Sequence, residues 1–419
     1  MGNPPPGASI ERSQGIVVDN YGSVFQNFFS ASPSLASYVR TDEFKAIVND
    51  RTKAFVGREF VFDRIEAMLR SEDHDSGYIL VAGEPGIGKT AIAASLVVRH
   101  CYVHHFNIAT SNIRSARQFL ESLCAQLILR YELPHETLPS QAGEDSGFLL
   151  QLLNEAVDVA RASGDLPVVV VVDALDEAED PTPGSLANRL LLPRTLPADA
   201  FFIVTCRELA TLQLTVDHSE EIFIDENEAA NQADVERYVR EYLASHADAV
   251  RQRLDDWGCS ADELVHTVVE GSEGNFMYLV HVLPDLVSGR LAFSLAEGAG
   301  GLPRGLLGYY QAHWTAMKSA DEAEFTARQR PVLCFLAISE EPVTVAKLCE
   351  WTSLEPGPVK GVIKDWREFL NQSDATPPTF RIYHRSFAEF LDEEEDLRWY
   401  HDQIIGTALG KIPGFTSTT

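Results

Sequence analysis

Apolar residues recur along this chain in two rhythms, and one stretch follows neither. Val168 to Val172 are five valines in a row. A continuous β-branched run predicts a strand buried on both faces, as in a parallel sheet covered by helices. YILVAG (78–83), YVHHFNI (102–108) and AFFIVTC (200–206) read as three more strands. Between them the apolar period is helical, in AIAASLVV (91–98) and ARQFLESLCAQLILRY (116–131). Strands alternating with helices predict a parallel, doubly covered sheet.

From 218 to 300 the period turns helical throughout. ADVERYVREYLASHADAV places Val235, Tyr238, Val239, Tyr242 and Leu243 on one face, and ADELVHTVVE and GNFMYLVHVLPDLV continue the pattern. GAGGLPRG (298–305) reads as a linker. Two helices follow it, then three more (about 328–338, 343–352 and 357–371), a short strand FRIYH (380–384) and the helix SFAEFLDEE. Three short helices closed by a strand predict a winged-helix module. The expected organisation is a short signalling or docking segment (1–50), an α/β nucleotide-binding domain (51–217), a helical domain (218–300), a winged helix (301–400) and a C-terminal tail (401–419).

The valine run ends in Asp173, with Asp176 and Glu177 close behind. In open α/β sheets, ligands sit beyond the carboxyl ends of the strands, so Asp173 leaves the sheet where a ligand would lie. A carboxylate there is costly unless it serves a cation. The first strand supplies the matching phosphate site. Gly83-Glu84-Pro85-Gly86-Ile87-Gly88-Lys89-Thr90 is G-x-x-x-x-G-K-T, between a strand and a helix in the order the motif requires. Its glycines let the loop curl so that backbone N–H groups face phosphate oxygens, and the following helix adds its positive end. Lys89 would reach the outer phosphates, while the Thr90 hydroxyl and Asp173 would hold Mg²⁺. The pattern predicts a P-loop NTPase binding ATP or ADP with Mg²⁺.

Charge narrows the partners. With 62 acidic against 34 basic residues, the formal net charge is −28. Such a surface repels nucleic acid and anionic membranes. No stretch is long and uncharged enough to span a bilayer, and MGNPPPGASIERS lacks the layout of a secretion signal. Six cysteines without CxxC spacing read as reduced residues, so a cytoplasmic location is expected.

A second set of residues sharpens the picture. Phe55-Val56-Gly57-Arg58-Glu59 precedes the glycine loop, Ala174 follows Asp173 directly, and Arg207 follows the strand AFFIVTC. GNFMYL (274–279) and YHRSFAEFL (383–391) come later. Together these resemble the STAND class of P-loop ATPases, the signalling switches that include NACHT and NB-ARC proteins. The layout Asp173-Ala174-Leu175-Asp176-Glu177 is NACHT-like. The resemblance spans about residues 51–400. It implies that Val56, Gly57 and Arg58 form the turn against the adenine, that His384 holds the β-phosphate of ADP, and that Arg207 reads the γ-phosphate. Asp176, or failing that Glu177, would orient the attacking water. GNFMYL departs from the Gly-x-Pro pattern of the NB-ARC branch, which weakens the adenine-facing role implied for Phe276. The resemblance further implies slow hydrolysis, assembly into a ring or filament on ATP exchange, an unnamed trigger, and a role in antiphage defence or programmed cell death.

Blander readings stand beside these. His100 and His104 are four apart, but on a strand that spacing builds no helical metal pair, so packed histidines are expected. VKGVIKDWREF carries Lys360, Lys364 and Arg367, yet Asp365 and Glu368 interleave, which disfavours DNA recognition. Arg194 is a second candidate cation, and Arg207 and His384 have plain structural alternatives as a surface ion-pair partner and a packed histidine. GIVVDNYGSVFQNFF (15–29) suits a cross-β signalling segment that recruits an effector, or a docking strand, or a disordered lead. Two rival functions remain: a P-loop ATPase that turns over continuously, and an ATP-dependent winged-helix transcription regulator.

Overall fold

The computed structural model describes residues 33–71, 73–108, 112–180, 186–212, 214–291, 302–339, 341–373 and 376–409. The segment 15–29 lies outside them. Helix α1 (Thr41–Thr52) and helix α2 (Glu59–Leu69) lead into strand β1 (Gly77–Gly83), helix α3 (Lys89–His100) and strand β2 (Val103–Phe106). Helices α4 (Ala116–Arg130) and α5 (Gly147–Ser163) precede strands β3 (Val168–Asp173), β4 (Ala200–Cys206) and β5 (Ser219–Ile224).

The five strands form one parallel sheet in the order β2-β3-β4-β1-β5. All six residues of β3 and all seven of β1 and β4 are buried, as a sheet covered on both faces demands. Because β1 and β3 flank β4, the glycine loop and Asp173 emerge at the same edge of the sheet.

Two findings move the boundaries of this domain. Helix α1 straddles residue 50, and Phe44 and Val48 on it are fully buried in the sheet domain's core. The stretch 41–50 is thus built into the α/β domain. At the other end, β5 begins after 217, where the apolar period had suggested helix. It pairs with β1 along its whole length. As an edge strand it buries only Ile222 and Ile224, so its sequence SEEIFI carries little apolar signal.

Helices α6 (Ala229–Ser245), α7 (Ala247–Trp257), α8 (Ala261–Ser272) and α9 (Phe276–Ser288) follow. The last third holds α10 (Gly305–Ala320), α11 (Arg330–Ala337), strand β6 (Val343–Thr344), α12 (Val345–Thr352), α13 (Pro356–Asp365), strands β7 (Leu370–Gln372) and β8 (Thr379–Ile382), then α14 (Arg385–Glu394) and α15 (Leu397–Leu409). Strands β6, β8 and β7 make a small antiparallel sheet in that order. The helices after β5 and this C-terminal module share a single core. His281 of α9 stacks on Tyr309 of α10, and Tyr310 meets Phe369 and Phe387. Among the described residues no helix is long and apolar enough to cross a membrane.

Candidate functional site

The glycine loop leaves β1 at Gly83 and ends where Lys89 starts α3. Gly86 and Gly88 take φ of 84° and 104°, a region that side chains rarely adopt. At Gly86 an added Cβ would lie 2.5 Å from the Asn275 amide oxygen, so glycine is required there on two counts. Lys89 bends back over the loop, and its ammonium donates to the carbonyls of Gly83 (2.5 Å) and Glu84 (2.9 Å). Burial pushes its pKa down to about 8, with Asp176 opposing and Arg207 adding to the fall.

Asp173 is buried beside Lys89 at the end of β3. Its Oδ1 accepts a 2.6 Å hydrogen bond from the Thr205 hydroxyl. Burial raises its pKa, while Thr205, Thr90 and Lys89 pull it down. The net rise shows a carboxylate short of positive charge in a dry place. That donor set, a carboxylate oxygen beside the Thr90 hydroxyl, suits Mg²⁺, a hard cation that takes oxygen ligands. Thr205 Oγ1 also accepts from the backbone N–H of Ala174 at 2.8 Å, and Ala174 takes a left-handed φ of 52° that turns the chain outward toward Asp176 and Glu177.

Arg58 anchors the turn before the loop. Gly57 and Arg58 have φ of 80° and 69°, and the guanidinium is almost wholly buried. It donates to the Asn231 side-chain oxygen at 2.6 Å and to the Ile87 carbonyl, and lies 4.6 Å from the centroid of the Phe276 ring. Its own backbone N–H donates to Asp234 Oδ2 at 2.7 Å. Burial lowers its pKa to about 10, with Asp234 and Glu228 opposing. Helix α9 docks on the same loop through backbone and side chain: the N–H groups of Phe276 and Met277 reach the Gly86 carbonyl at 3.1 and 3.2 Å, and the Asn275 side-chain amide donates to the Pro85 carbonyl at 2.8 Å.

The C-terminal module closes the other side. Arg207 Nη1 donates to both carboxylate oxygens of Glu389 on α14, and its Nε lies 3.4 Å from Asp176 Oδ2. Burial works against the charge on Arg207, yet Glu389 and the neighbouring acids raise its pKa on balance. His384 caps α14, with Nδ1 accepting from the Ser386 N–H at 3.2 Å. Burial first, then the cations Arg51, Arg207 and Lys89, hold its pKa down to about 3.

Val56, Arg58, Pro85, Gly86, Gly88, Lys89, Thr90, Asp176, Glu177, Arg207, Phe276 and His384 line one cavity of about 480 Å³. Such a volume suits a small-molecule site. Gly57, Gly83, Glu84, Ile87 and Asp173 support it from behind or beside. Arg194 has no part in it and donates instead to the Leu186 carbonyl at 2.6 Å. His104 and His105 pack in the core, where burial holds them down to about 4 and about 3. Lys360, Lys364 and Arg367 share a separate groove with Leu370 and Phe380. Sequence reasoning passed over Thr205, Asn231, Asp234, Asn275 and Glu389, and also Arg51, whose guanidinium donates to the Tyr383 hydroxyl at 2.5 Å at the rim. Only Asn275 carried a local signal, as the residue before a helix.

A family model of the AAA ATPase domain matches residues 54–196. This segment is an AAA-type P-loop ATPase domain. No curated protein matches the chain. Solved structures similar to it include a RuvB mutant from Thermotoga maritima, 10% identical over 80% of this chain and 95% of that one with a TM-score of 0.32. Another is a Drosophila ORC bound to DNA, 13% identical over 92% and 96% with a TM-score of 0.32. The matched stretch starts just before the FVGRE turn of the ATPase domain and stops short of β4, so Arg207 and the helices that close the cavity lie beyond it.

Proposed function

We propose that the chain is a nucleotide-operated signalling switch of the STAND type: closed with ADP, opened by exchange for ATP, and reset by slow hydrolysis. The observation that carries this reading is the position of Arg207. It stands at the end of a sheet strand beside the glycine loop and is gripped by Glu389 from the C-terminal module. A γ-phosphate competes with Glu389 for that cation, so ATP and ADP favour different arrangements of the module. Nucleotide can drive a change only through such differential affinity.

In this reading Gly86, Gly88 and the first turn of α3 cradle the phosphates, and Lys89 exchanges its loop carbonyls for phosphate oxygens. Mg²⁺, when bound, would take the Thr90 hydroxyl and the Asp173 carboxylate as ligands and offset charge on the phosphates. Asp176 is aimed at the cavity and orients the water, with Arg207 fixing its carboxylate. Arg58 and Phe276 wall the end given to the base, and His384 faces the phosphate end from the module. The order α11, β6, α12, α13, β7, β8, with β6-β8-β7 as an antiparallel sheet, supports a winged-helix reading of that module. Self-association on opening, and service in antiphage defence or programmed cell death, rest on the family resemblance.

The test is the nucleotide content of the purified protein, released by denaturation and separated by chromatography. Near-stoichiometric ADP, lost in His384→Ala, supports the switch. An empty site with fast ATP turnover overturns it in favour of a continuously cycling ATPase.

A further inference from the structure

At the far end of the sheet from the glycine loop, three side chains converge that the ATPase chemistry does not use. We infer that His74, His218 and Glu220 form a binding site for a borderline divalent transition-metal ion, Zn²⁺ first among them. His74 lies in the loop between α2 and β1, His218 immediately precedes β5, and Glu220 is the second residue of β5. One donor atom from each lies within 4.8 Å of the others. β1 runs seven residues from this end to the loop, which puts the two sites roughly 20 Å apart.

Ordinary packing accounts poorly for the arrangement. His218 Nε2 is shut off from water and has no hydrogen-bond partner, which a buried polar atom seldom tolerates. Glu220 Oε1 is 3.9 Å away, too far for a hydrogen bond. The rings of His74 and His218 overlap, with centroids 3.1 Å apart and planes tilted by 38°, and would part slightly to face one ion together. Tetrahedral Zn²⁺ with bonds of about 2.1 Å spaces its donors roughly 3.4 Å apart. Glu220 is half-exposed and free to rotate that short distance inward.

The backbone holds the pair in place. The Tyr78 N–H donates to the His218 carbonyl at 3.1 Å, and Gly77 lies so close that an added Cβ would sit 3.1 Å from the His218 ring. A cavity of about 300 Å³, walled by Met68, Tyr78 and Phe201, borders the three donors and leaves the fourth coordination position to water. Arg64 also borders it, but its charge is taken by Glu228 at 2.7 Å. Two imidazoles with one carboxylate select Zn²⁺, Ni²⁺ or Cu²⁺ over Mg²⁺. The site is therefore chemically separate from Thr90 and Asp173. A bound ion would tie the end of α2 to the edge strand.

The experiment uses tag-free full-length protein, stripped with a chelator and titrated with Zn²⁺ by calorimetry in excess Mg²⁺. One equivalent should bind and raise the Tm, and His74→Gln and His218→Gln should each abolish both effects. Glu220→Gln should weaken binding at least about tenfold, as expected for a lost ligand. Co²⁺ should give the visible bands of a low-symmetry four-coordinate site. If a variant does not fold, diethylpyrocarbonate labelling of the native chain reads the same point: Zn²⁺ should protect His74. Absence of binding, several equivalents that the variants leave unchanged, or an unprotected His74 would each overturn the assignment.

Discussion

Arg207 and Glu389 are joined by two hydrogen bonds of 2.7 and 2.6 Å across 182 residues, one on the residue that follows β4 and the other on α14. The same guanidinium lies 3.4 Å from Asp176, so one cation ties Asp176 to the C-terminal module. Arg385 also reaches Glu389, at 3.0 Å, which keeps that carboxylate in place.

Removing the grip should loosen the closed form. Glu389→Gln keeps the volume and loses the charge. A paired carboxylate that is partly exposed contributes about 1 kcal/mol. Release of a fluorescent ADP analogue should therefore speed up roughly fivefold, with nucleotide affinity falling by a similar factor. An unchanged release rate would show that the module is held closed by other contacts.

Asp173 predicts a split between stability and catalysis. Asp173→Asn removes a buried charge whose pKa is raised by burial, so the folded chain should keep or gain stability in urea. Its Mg²⁺-dependent hydrolysis should nevertheless disappear. Thr205→Val does the reverse to the fold. It strips the 2.6 Å hydrogen bond from a buried carboxylate and should cost about 1–3 kcal/mol of stability. The urea midpoint of Thr205→Val should fall, and that of Asp173→Asn should stay or rise.

Acid should unfold this protein early. Burial holds His104, His281 and His313 down to about 4, and His105 and His384 down to about 3. Unfolded, they take up protons near pH 6.5, so below that pH the unfolded state binds more protons. The stability they lend is complete above pH 6.5 and is lost as pH falls toward their folded values. Asp173 works the other way, because its raised pKa makes the folded state the better proton acceptor there. His105 is the cleanest probe, since neither ring nitrogen has a hydrogen-bond partner and Phe44 and Phe119 pack against it. His105→Leu should flatten the acid limb by up to about 1.4 kcal/mol per pH unit and leave nucleotide affinity unchanged. Urea midpoints measured from pH 7 to pH 5 check this.

Arg58 holds the elements around the glycine loop together as well as lining the cavity. Arg58→Ala would leave Asn231 and the Ile87 carbonyl without their donor and Asp234 without its nearby cation. The loss of a buried charged partner costs about 3–5 kcal/mol. Lysine has no planar fork to serve both acceptors, so Arg58→Lys should recover little of it. Thermal unfolding with and without nucleotide distinguishes this from a loss of binding alone.

The parts of this molecule that were legible in its sequence are those whose chemistry is local. The glycine loop needs its residues at consecutive positions, and the valine run needs burial on both faces, so each leaves a dense signal. Strand β5 does not, because SEEIFI meets water on one side and its partner β1 lies more than a hundred residues away. Helix α1 straddles residue 50, where the sequence shows a boundary, although Phe44 and Val48 are core. The supporting polar residues are illegible for a related reason. Thr205, Asn231, Asp234 and Glu389 matter only for what they meet across the fold, and nothing in their neighbours along the chain marks them. The same holds for the core shared by α9, α10 and the module, which is built from aromatic contacts between distant segments.

Helix α9 is fastened to the glycine loop by main-chain groups, the N–H of Phe276 and Met277 on the Gly86 carbonyl. Thirteen residues make it a rod about 20 Å long. Its near end rides on the glycine loop, and its body, through His281, is packed into the aromatic core beneath the module. A tilt of about 10° at the loop would swing the far end of such a rod by about 3.5 Å. The loop thus acts as a fulcrum that amplifies small displacements. Because two of those bonds are made by backbone, truncating the Phe276 or Met277 side chain would leave them in place, while Asn275 adds a side-chain bond to the Pro85 carbonyl.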